Sequence, residues 1–208
     1  MSVENLVSDR IKIGIVSAGV DQLPSVHTLL DSRLEPLLET RKTALTVRED
    51  DFRKACRDMM RIGNYKPTGR GKPASEYLLK TAADGRFPRI NTVVDINNYI
   101  SLKYLVPISL WDTDKIEAGS WLFRTGKETE SFVFNASGQT IGLHDLITGF
   151  AVQNGEETPI VTPIKDCQKT KTDVSTTKIM AAVYYPAHWH ETPRLNTILD
   201  EFNELLLN

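Results

Sequence analysis

Three asparagines and an aspartate stand among the apolar residues of segment 89–112, which reads RINTVVDINNYISLKYLVPISLWD. The spacing of its Val, Ile and Leu residues predicts a mostly buried helix. Inside that helix lie Asn91, Asp95, Asn97 and Asn98. Buried amides and carboxylates need hydrogen-bond partners, and Asn has a low helix propensity. The cost of placing these residues there indicates that they have a specific task.

Two interpretations of these four residues are open. In the first, the side chains cap the local backbone, and Arg89 forms an ion pair with Asp95. In the second, the polar groups face a pocket and hold a ligand or a water molecule. Residue types and spacing do not choose between these two roles.

The same segment carries a resemblance to a known family. Residues 91–102 (NTVVDINNYISL) and 106–116 (VPISLWDTDKI) resemble the B3/B4 domain of the bacterial phenylalanyl-tRNA synthetase β subunit. That domain's motif runs approximately N-x-V-V-D-I-T-N-Y-V-M-L and then G-Q-P-x-H-A-F-D-x-D-K-L. The likeness continues through residues 124–132 and is strongest over 88–132. The chain lacks the synthetase's other modules, so it resembles a free-standing B3/B4 protein.

The resemblance implies both a fold and an activity. The implied fold is a three-layer β/β/α arrangement. In the synthetase, the domain hydrolyses the ester that joins a wrongly attached tyrosine to the tRNA for phenylalanine. Such a second site is needed because a pocket for phenylalanine cannot strongly reject an isostere that merely adds a hydroxyl.

The family's site residues transfer to this sequence only in part. Its Thr-Asn pair falls on Asn97 and Asn98, its pocket histidine falls on Ser109, and its distal glutamate falls at Ala181 or Ala182. The resemblance therefore implies two sets of residues. The candidate catalytic residues are Asn98 and Ser109, and the candidate pocket residues are Asn91, Asp95, Asn97, Ala181 and Ala182.

These replacements favour a changed specificity. The family's glutamate is implied to read the tyrosine hydroxyl, and no acidic residue stands at the matching positions. The family's glycine-rich segment should fall near residues 160–169, which contain no glycine. Catalysis could rest on Asn98 and backbone donors that position a water. Attack by Ser109 as an acyl nucleophile is a weaker hypothesis than attack by such a water, because no His or Lys neighbour is visible to activate the serine.

The near-neutral total charge hides a basic segment. The chain has 25 Lys+Arg and 27 Asp+Glu, yet residues 41–90 contain 13 basic and 6 acidic residues. Such a segment is a solvated helix face or a footprint for a polyanion such as RNA. The second interpretation gives seven candidate RNA contacts: Lys66, Arg70, Lys72, Arg86, Arg89, Lys169 and Lys171.

Other motifs that could bind phosphate or a metal lack the required spacing or the required number of ligands. Gly69-Arg70-Gly71-Lys72 is followed by Pro73, where a phosphate-binding loop needs Ser or Thr. The run HWHE at residues 188–191 supplies too few ligands for a hydrolytic metal site. Cys56 and Cys167 have no partner spacing for a disulfide framework or zinc site. We therefore predict no metal and no cofactor.

The elements that must position these residues divide the chain into three parts. Residues 1–105 are predicted to be mainly helical after a first strand at 12–18, and Pro24 falls in the first turn of the first helix, which Pro36 kinks or ends. Residues 106–186 carry short apolar runs typical of strands, and residues 193–207 form a final amphipathic helix. Helices followed by strands predict an α+β fold.

A single domain of 208 residues is expected. The N-terminus shows no secretory pattern and no apolar run is long enough to cross a bilayer, so we expect a soluble, cytoplasmic protein. The oligomeric state stays open.

Three functions follow as hypotheses. The first is an aminoacyl-tRNA deacylase that acts on misacylated tRNA in trans. The second is a tRNA-binding module without catalysis, and the third is a pocket protein for an amino-acid-like small molecule. The sequence favours tRNA as partner, with neither DNA nor a membrane, and leaves open whether the protein is an enzyme.

Overall fold

A computed structural model describes residues 2–20, 23 and 27–207. The strands of this part of the chain are β1 (Ser2–Asn5), β2 (Ile11–Gly19), β3 (Ile108–Asp112), β4 (Ser120–Thr125), β5 (Ser131–Val133), β6 (Thr140–Gly142), β7 (Ile147–Gln153), β8 (Glu156–Val161) and β9 (Lys178–Pro186). Its α-helices are α1 (Thr28–Thr40), α2 (Val47–Asp58), α3 (Ala74–Ala83), α4 (Thr92–Tyr104) and α5 (Leu195–Leu207).

The central sheet has the order β2-β9-β3 and is antiparallel. Strand β9 is buried at every position after Lys178, as expected for an apolar strand covered on both faces. Its register places Ser109 opposite Ala182 and Leu110 opposite Ala181. Strand β3 is an edge strand of this sheet. It carries Ser109 and pairs with β9, which carries Ala181 and Ala182.

A second sheet, with the order β1-β4-β7-β8, lies against one face of the central sheet. Aromatic pairs connect the two layers, with Trp111 and Trp121 ring centres 5.3 Å apart and Phe123 and Tyr184 ring centres 6.1 Å apart. Because side chains alternate along a strand, Ser109 faces this second sheet.

Helices cover the opposite face of the central sheet. Phe52 of α2 packs against Tyr185 of β9 at a ring-centre distance of 5.7 Å. Helix α5 lies over β2, where a Cβ added to Gly14 would come within 2.8 Å of Leu195. The resulting order of sheet, sheet and helices confirms the predicted α+β fold with β/β/α layers.

Three features differ from the sequence-based expectation. Strands β1 and β6 were not predicted, because each is short and largely exposed. Pro36 was predicted to kink or end the first helix, and the second alternative is wrong, because α1 continues through Pro36 to Thr40. The predicted place of Pro24 in the first turn lies outside the described residues, and α1 begins at Thr28 with His27 as its cap.

Substitution of Gly126 tests the junction that follows β4. A Cβ at this buried position would lie 2.3 Å from the backbone oxygen of Leu143, and neither backbone can move without breaking the bond from the Gly126 N–H to Leu146. We expect Gly126→Ala to lower the free energy of unfolding by roughly 1–3 kcal/mol or more in urea titrations. Gly142→Ala is the control, because no atom lies within 4 Å of its added Cβ. Equal stability of both variants would contradict this packing.

Candidate functional site

A cleft of about 1190 Å³ opens where several segments approach one another. It is lined by the 69–73 loop, by α3 along its length, and by Arg41, residues 43–45 and Arg53 from the region of α1 and α2. Residues 134–135, which follow β5, and the segment after β8 complete the lining, the latter with Ile164, Lys165, Asp166 and Lys171. A cleft of this size at the junction of separate segments is a default candidate for a binding site.

Local hydrogen bonds fix the two loops that line the cleft. The Tyr65 hydroxyl donates to the Gly71 carbonyl at 2.7 Å, which holds the glycine- and proline-rich loop in place. The Ala74 N–H, at the start of α3, donates to the Pro163 carbonyl at 2.9 Å and ties the two walls together. Thr162 Oγ1 accepts from the Lys165 N–H at 3.0 Å and closes the turn that follows β8. The side chains of Lys165 and Asp166 are therefore presented by a constrained backbone.

The basic segment identified in the sequence is mostly neutralised by ion pairs. Only four of its 13 basic residues have no carboxylate within 4.0 Å among the described residues. These are Lys66, Arg70, Lys72 and Lys80, and the last three line the cleft. Three of the four uncompensated charges of residues 41–90 thus lie at one cleft.

Two lysines from the far end of the sequence add to this charge. Lys165 Nζ lies 3.9 Å from the centre of the Phe134 ring, and Lys171 Nζ donates to the Phe134 carbonyl at 2.7 Å. Neither lysine has a carboxylate partner within the described part of the chain. Burial, Lys171 and Arg70 together lower the pKa of Lys165. An anion bound here would relieve this mutual repulsion.

Asp166 places a carboxyl group in the same cleft. It lies beside the open edge of β3, where the Leu110 N–H donates to its Oδ2 at 3.3 Å. Burial raises the pKa of Asp166 to about 7, against the lowering effects of the Leu110 amide, Ser109 and Lys171. Both the charged and the neutral form of this carboxyl are therefore populated near neutral pH.

Ser109 lies beneath this carboxyl and is fully buried. Its hydroxyl donates to the Thr162 carbonyl at 2.8 Å, and it lies 3.0 Å from the Tyr184 hydroxyl, which therefore donates to it. Burial raises the pKa of Tyr184, so this hydroxyl stays neutral. Ala182 pairs with Ser109 in the sheet, whereas Ala181 projects toward the helices. Neither alanine lines the cleft.

Asn91 and Asp95 lie elsewhere, at the start of α4. Asn91 Oδ1 accepts from the Val94 N–H at 2.9 Å and caps the helix. Asp95 accepts from Arg89 Nε at 2.7 Å and from the Ile90 N–H at 2.8 Å. These hydrogen bonds are the ones expected if the side chains cap the local backbone and Arg89 forms an ion pair with Asp95. Both residues border a recess of about 270 Å³, separate from the large cleft.

Asn97 and Asn98 lie on the same helix, and neither lines the large cleft. Asn97 is buried, and its Oδ1 has no hydrogen-bond partner among the described residues. Asn98 is half-buried. The structure thus does not bring these two amides together with Ser109 around one cleft.

The predicted RNA contacts separate into three groups. Arg70, Lys72 and Lys171 line the cleft. Lys66 and Lys169 are exposed and unpaired within the described chain. Arg86 and Arg89 form ion pairs with Asp84 and with Asp31 and Asp95, respectively.

Four cleft residues were not among the candidate site residues of the sequence analysis. Lys80 and Tyr77 belong to α3, and the helical period places both on the solvent-facing side of that helix. Tyr77 is 66% exposed and borders the cleft. Lys165 and Asp166 belong to a lysine- and threonine-rich stretch, whose pattern fits a solvated turn and phosphate contacts equally well. The missing glycine at 160–169 and the candidate RNA contacts Lys169 and Lys171 were the sequence signals that pointed to this region.

No group of three or more His, Cys, Asp or Glu side chains among the described residues could hold a metal ion. In the same part of the chain, none of the helices is long and apolar enough to cross a membrane.

Comparisons with known proteins identify a family and structural relatives. The family model of the B3/4 domain matches residues 64–194, more than half of the chain. The N-terminal fragment of the phenylalanyl-tRNA synthetase β-subunit from Pyrococcus horikoshii has a similar structure, with a TM-score of 0.45 and 11% sequence identity. That likeness covers 93% of this chain and 73% of the fragment. No curated protein matches the sequence.

The raised pKa of Asp166 makes stability depend on pH in a specific direction. Because its folded pKa of about 7 lies above the ordinary 3.8, the folded protein binds more protons between these values, and its unfolding free energy falls as pH rises through that window. We expect Asp166→Asn to remove this decrease, so that the variant gains stability relative to the wild type from about pH 4 to pH 7. Urea titrations across this range measure the difference. Asp51→Asn, on the exposed side of α2, is the control, and parallel curves for the wild type and Asp166→Asn would contradict the assignment.

Proposed function

The chain belongs to the B3/4 domain family, and from this membership and the geometry of the cleft we propose that it binds the acylated 3′ end of a tRNA. The observation that carries the proposal is the position of the unpaired cations. Arg70, Lys72, Lys165 and Lys171 meet at one cleft, while the other basic residues of segment 41–90 are largely neutralised by carboxylates.

The arrangement of these charges favours a ribose-phosphate chain as the ligand. The cations come from the 69–73 loop, α3 and the segment after β8, so they are distributed along the walls and not gathered at one point. Phosphates spaced along a strand match such a distribution, and their binding releases condensed counterions. The volume of about 1190 Å³ also exceeds the roughly 300–1,000 Å³ usual for a small-molecule pocket.

An exposed aromatic side chain adds a second contact typical of RNA. Tyr77 is 66% exposed at the border of the cleft, beside Lys80 on the same helix. Single-stranded RNA ends are held by bases that stack on aromatic rings while cations contact the backbone. The unpaired 3′ end of a tRNA offers such bases.

The reaction proposed for this site is hydrolysis of the ester between an amino acid and the tRNA, as the resemblance to the synthetase domain implies. The titratable carboxyl in the cleft supports it. The domain would act in trans, in the cytoplasm, on tRNA charged elsewhere. Binding of tRNA without hydrolysis would instead select the non-catalytic module, and binding of free amino acids without tRNA would select the small-molecule protein.

Removing the unpaired cations tests the binding site. We expect Arg70→Ala/Lys165→Ala to weaken binding of an acylated tRNA and to reduce the slope of log affinity against log salt by roughly 0.7 for each lost phosphate contact. Fluorescence anisotropy over about 50–200 mM salt measures both quantities.

The matched control for this experiment is Lys54→Ala/Arg61→Ala, which removes the same charge from residues that already have carboxylate partners. It should bind almost as the wild type does. If both double variants lose affinity equally, the cleft is not the site, and an absence of tRNA binding by the wild type would refute the proposed function.

Substitution of Tyr77 tests the stacking contact. We expect Tyr77→Ala to weaken binding by roughly 1–3 kcal/mol with little change in the salt slope, because the lost contact is uncharged. Tyr77→Phe should keep the wild-type affinity, since it retains the ring. Filter binding with a labelled tRNA measures the change, and an unchanged affinity of the alanine variant would exclude stacking on this side chain.

A further inference from the structure

We propose that Asp166 is the catalytic acid–base group of the cleft, taking a proton from the water molecule that attacks the ester of the bound substrate. This inference rests on the proposed function and assigns its chemistry to a residue that the sequence motifs do not include.

The first ground is the distinction between the two carboxylates that line the cleft. Glu76 is engaged by Arg57 and by Arg53, and its charge is held in these ion pairs. Asp166 has no Lys or Arg within ion-pair distance among the described residues. Since an ion pair holds a carboxylate in its charged form, Asp166 is the one of the two that is able to exchange a proton with a bound water.

The second ground is that the carboxyl is held in a fixed position. The backbone of Asp166 pairs with Val161 of β8, and the next N–H, from Cys167, donates to the Ile160 carbonyl at 2.7 Å. The Leu110 amide then binds Oδ2 from the edge of β3. A general base needs such a fixed geometry to contribute to the rate.

The third ground is the electrostatic surroundings of the carboxyl. Burial raises its pKa to about 7, where a carboxylate is both present at neutral pH and basic enough to accept a proton. Of the titratable groups nearby, Lys171 and, beneath the cleft, Tyr184 interact with this carboxyl, and Lys165, Arg70 and Glu76 line the same cleft. The three cations can stabilise the oxyanion that forms during ester hydrolysis.

The reaction balances without any other reagent. The oxygen of water forms a bond to the ester carbonyl carbon while Asp166 takes one of its protons. The tetrahedral intermediate then collapses, and the bond between that carbon and the ribose oxygen breaks. Asp166 returns its proton to the ribose oxygen, which leaves a free amino acid and a tRNA with an intact terminal hydroxyl.

The test compares deacylation by the wild type, Asp166→Asn and Asp51→Asn. The substrate is bulk tRNA charged separately with each proteinogenic amino acid, and the rate is measured under single-turnover conditions after subtraction of spontaneous hydrolysis. We expect the wild type to cleave at least one of these esters and Asp166→Asn to lose roughly 10²–10⁴-fold of that rate. Asp51→Asn should retain the wild-type rate.

The pH profile separates catalysis from a structural role. The wild-type rate should rise as Asp166 loses its proton and level off above about pH 8, whereas any residual rate of Asp166→Asn should lack this inflection. The variant should bind acylated tRNA no more weakly than the wild type, because it removes a negative charge from an anion site.

The possible failures are distinguishable. If the wild type cleaves an ester and Asp166→Asn cleaves it equally well, the role of Asp166 is wrong and the proposed function stands. If acylated tRNA binds but no ester is cleaved, the catalytic inference fails while the binding site stands. If tRNA does not bind at all, the proposed function fails. A folded Asp166→Asn with both rate and binding lost would point to a structural role, which thermal unfolding of the variant checks.

Discussion

Strand β9 is hydrogen-bonded to neighbours on both edges and covered by other layers on both faces. Its residues from Ile179 onward are buried, because one face meets the second sheet and the other meets the helices. This burial fixes the register of β3, since a slip by one residue would turn Ser109 toward the helices and Leu110 toward the second sheet. The position of Asp166 depends on that register, because the Leu110 amide that binds it lies on the open edge of β3.

The cleft gains its character from the way in which charges are paired. Nearly all arginines of the first half are bound by carboxylates from neighbouring turns or elements, as Arg57 is by Glu76 and Arg41 by Glu49. The exposed pairs among them, such as Arg61 with Asp58, contribute little stability, but all of these pairs neutralise the surface they cover. The few cations left over are therefore informative, because they meet a second group of lysines that arrives more than 90 residues later in the chain.

The segment after β8 that carries Lys165 and Lys171 also carries the buried carboxyl of Asp166. Asp166 stands between Lys165 and Cys167 in a stretch that carries no apolar period. Its partner amide belongs to a residue 56 positions away, so its burial is a long-range property. The protein tolerates a buried carboxyl here because near neutral pH the group can accept a proton instead of keeping an uncompensated charge.

Local pattern was enough to predict most of the fold. The β-branched run of β2, the helical period of α4 and the apolar runs of β4, β7 and β9 each follow from residues near one another in sequence. The resemblance of residues 88–132 gave the layer order, which the structure confirms. The short strands β1 and β6 escaped prediction because their pairing is decided by the neighbour and not by their own residues.

The sequence by itself determined most of the elements, the family and the existence of a basic segment. Only the tertiary structure decided which cations remain unpaired, which groups form hydrogen bonds with Asn91 and Asp95, and that Asp166 lines the cleft. The physical reason is that a side chain's charge and exposure depend on partners supplied by distant parts of the chain. Residue type and spacing fix local conformation, whereas chemistry at a site depends on burial and on the groups that fold around it.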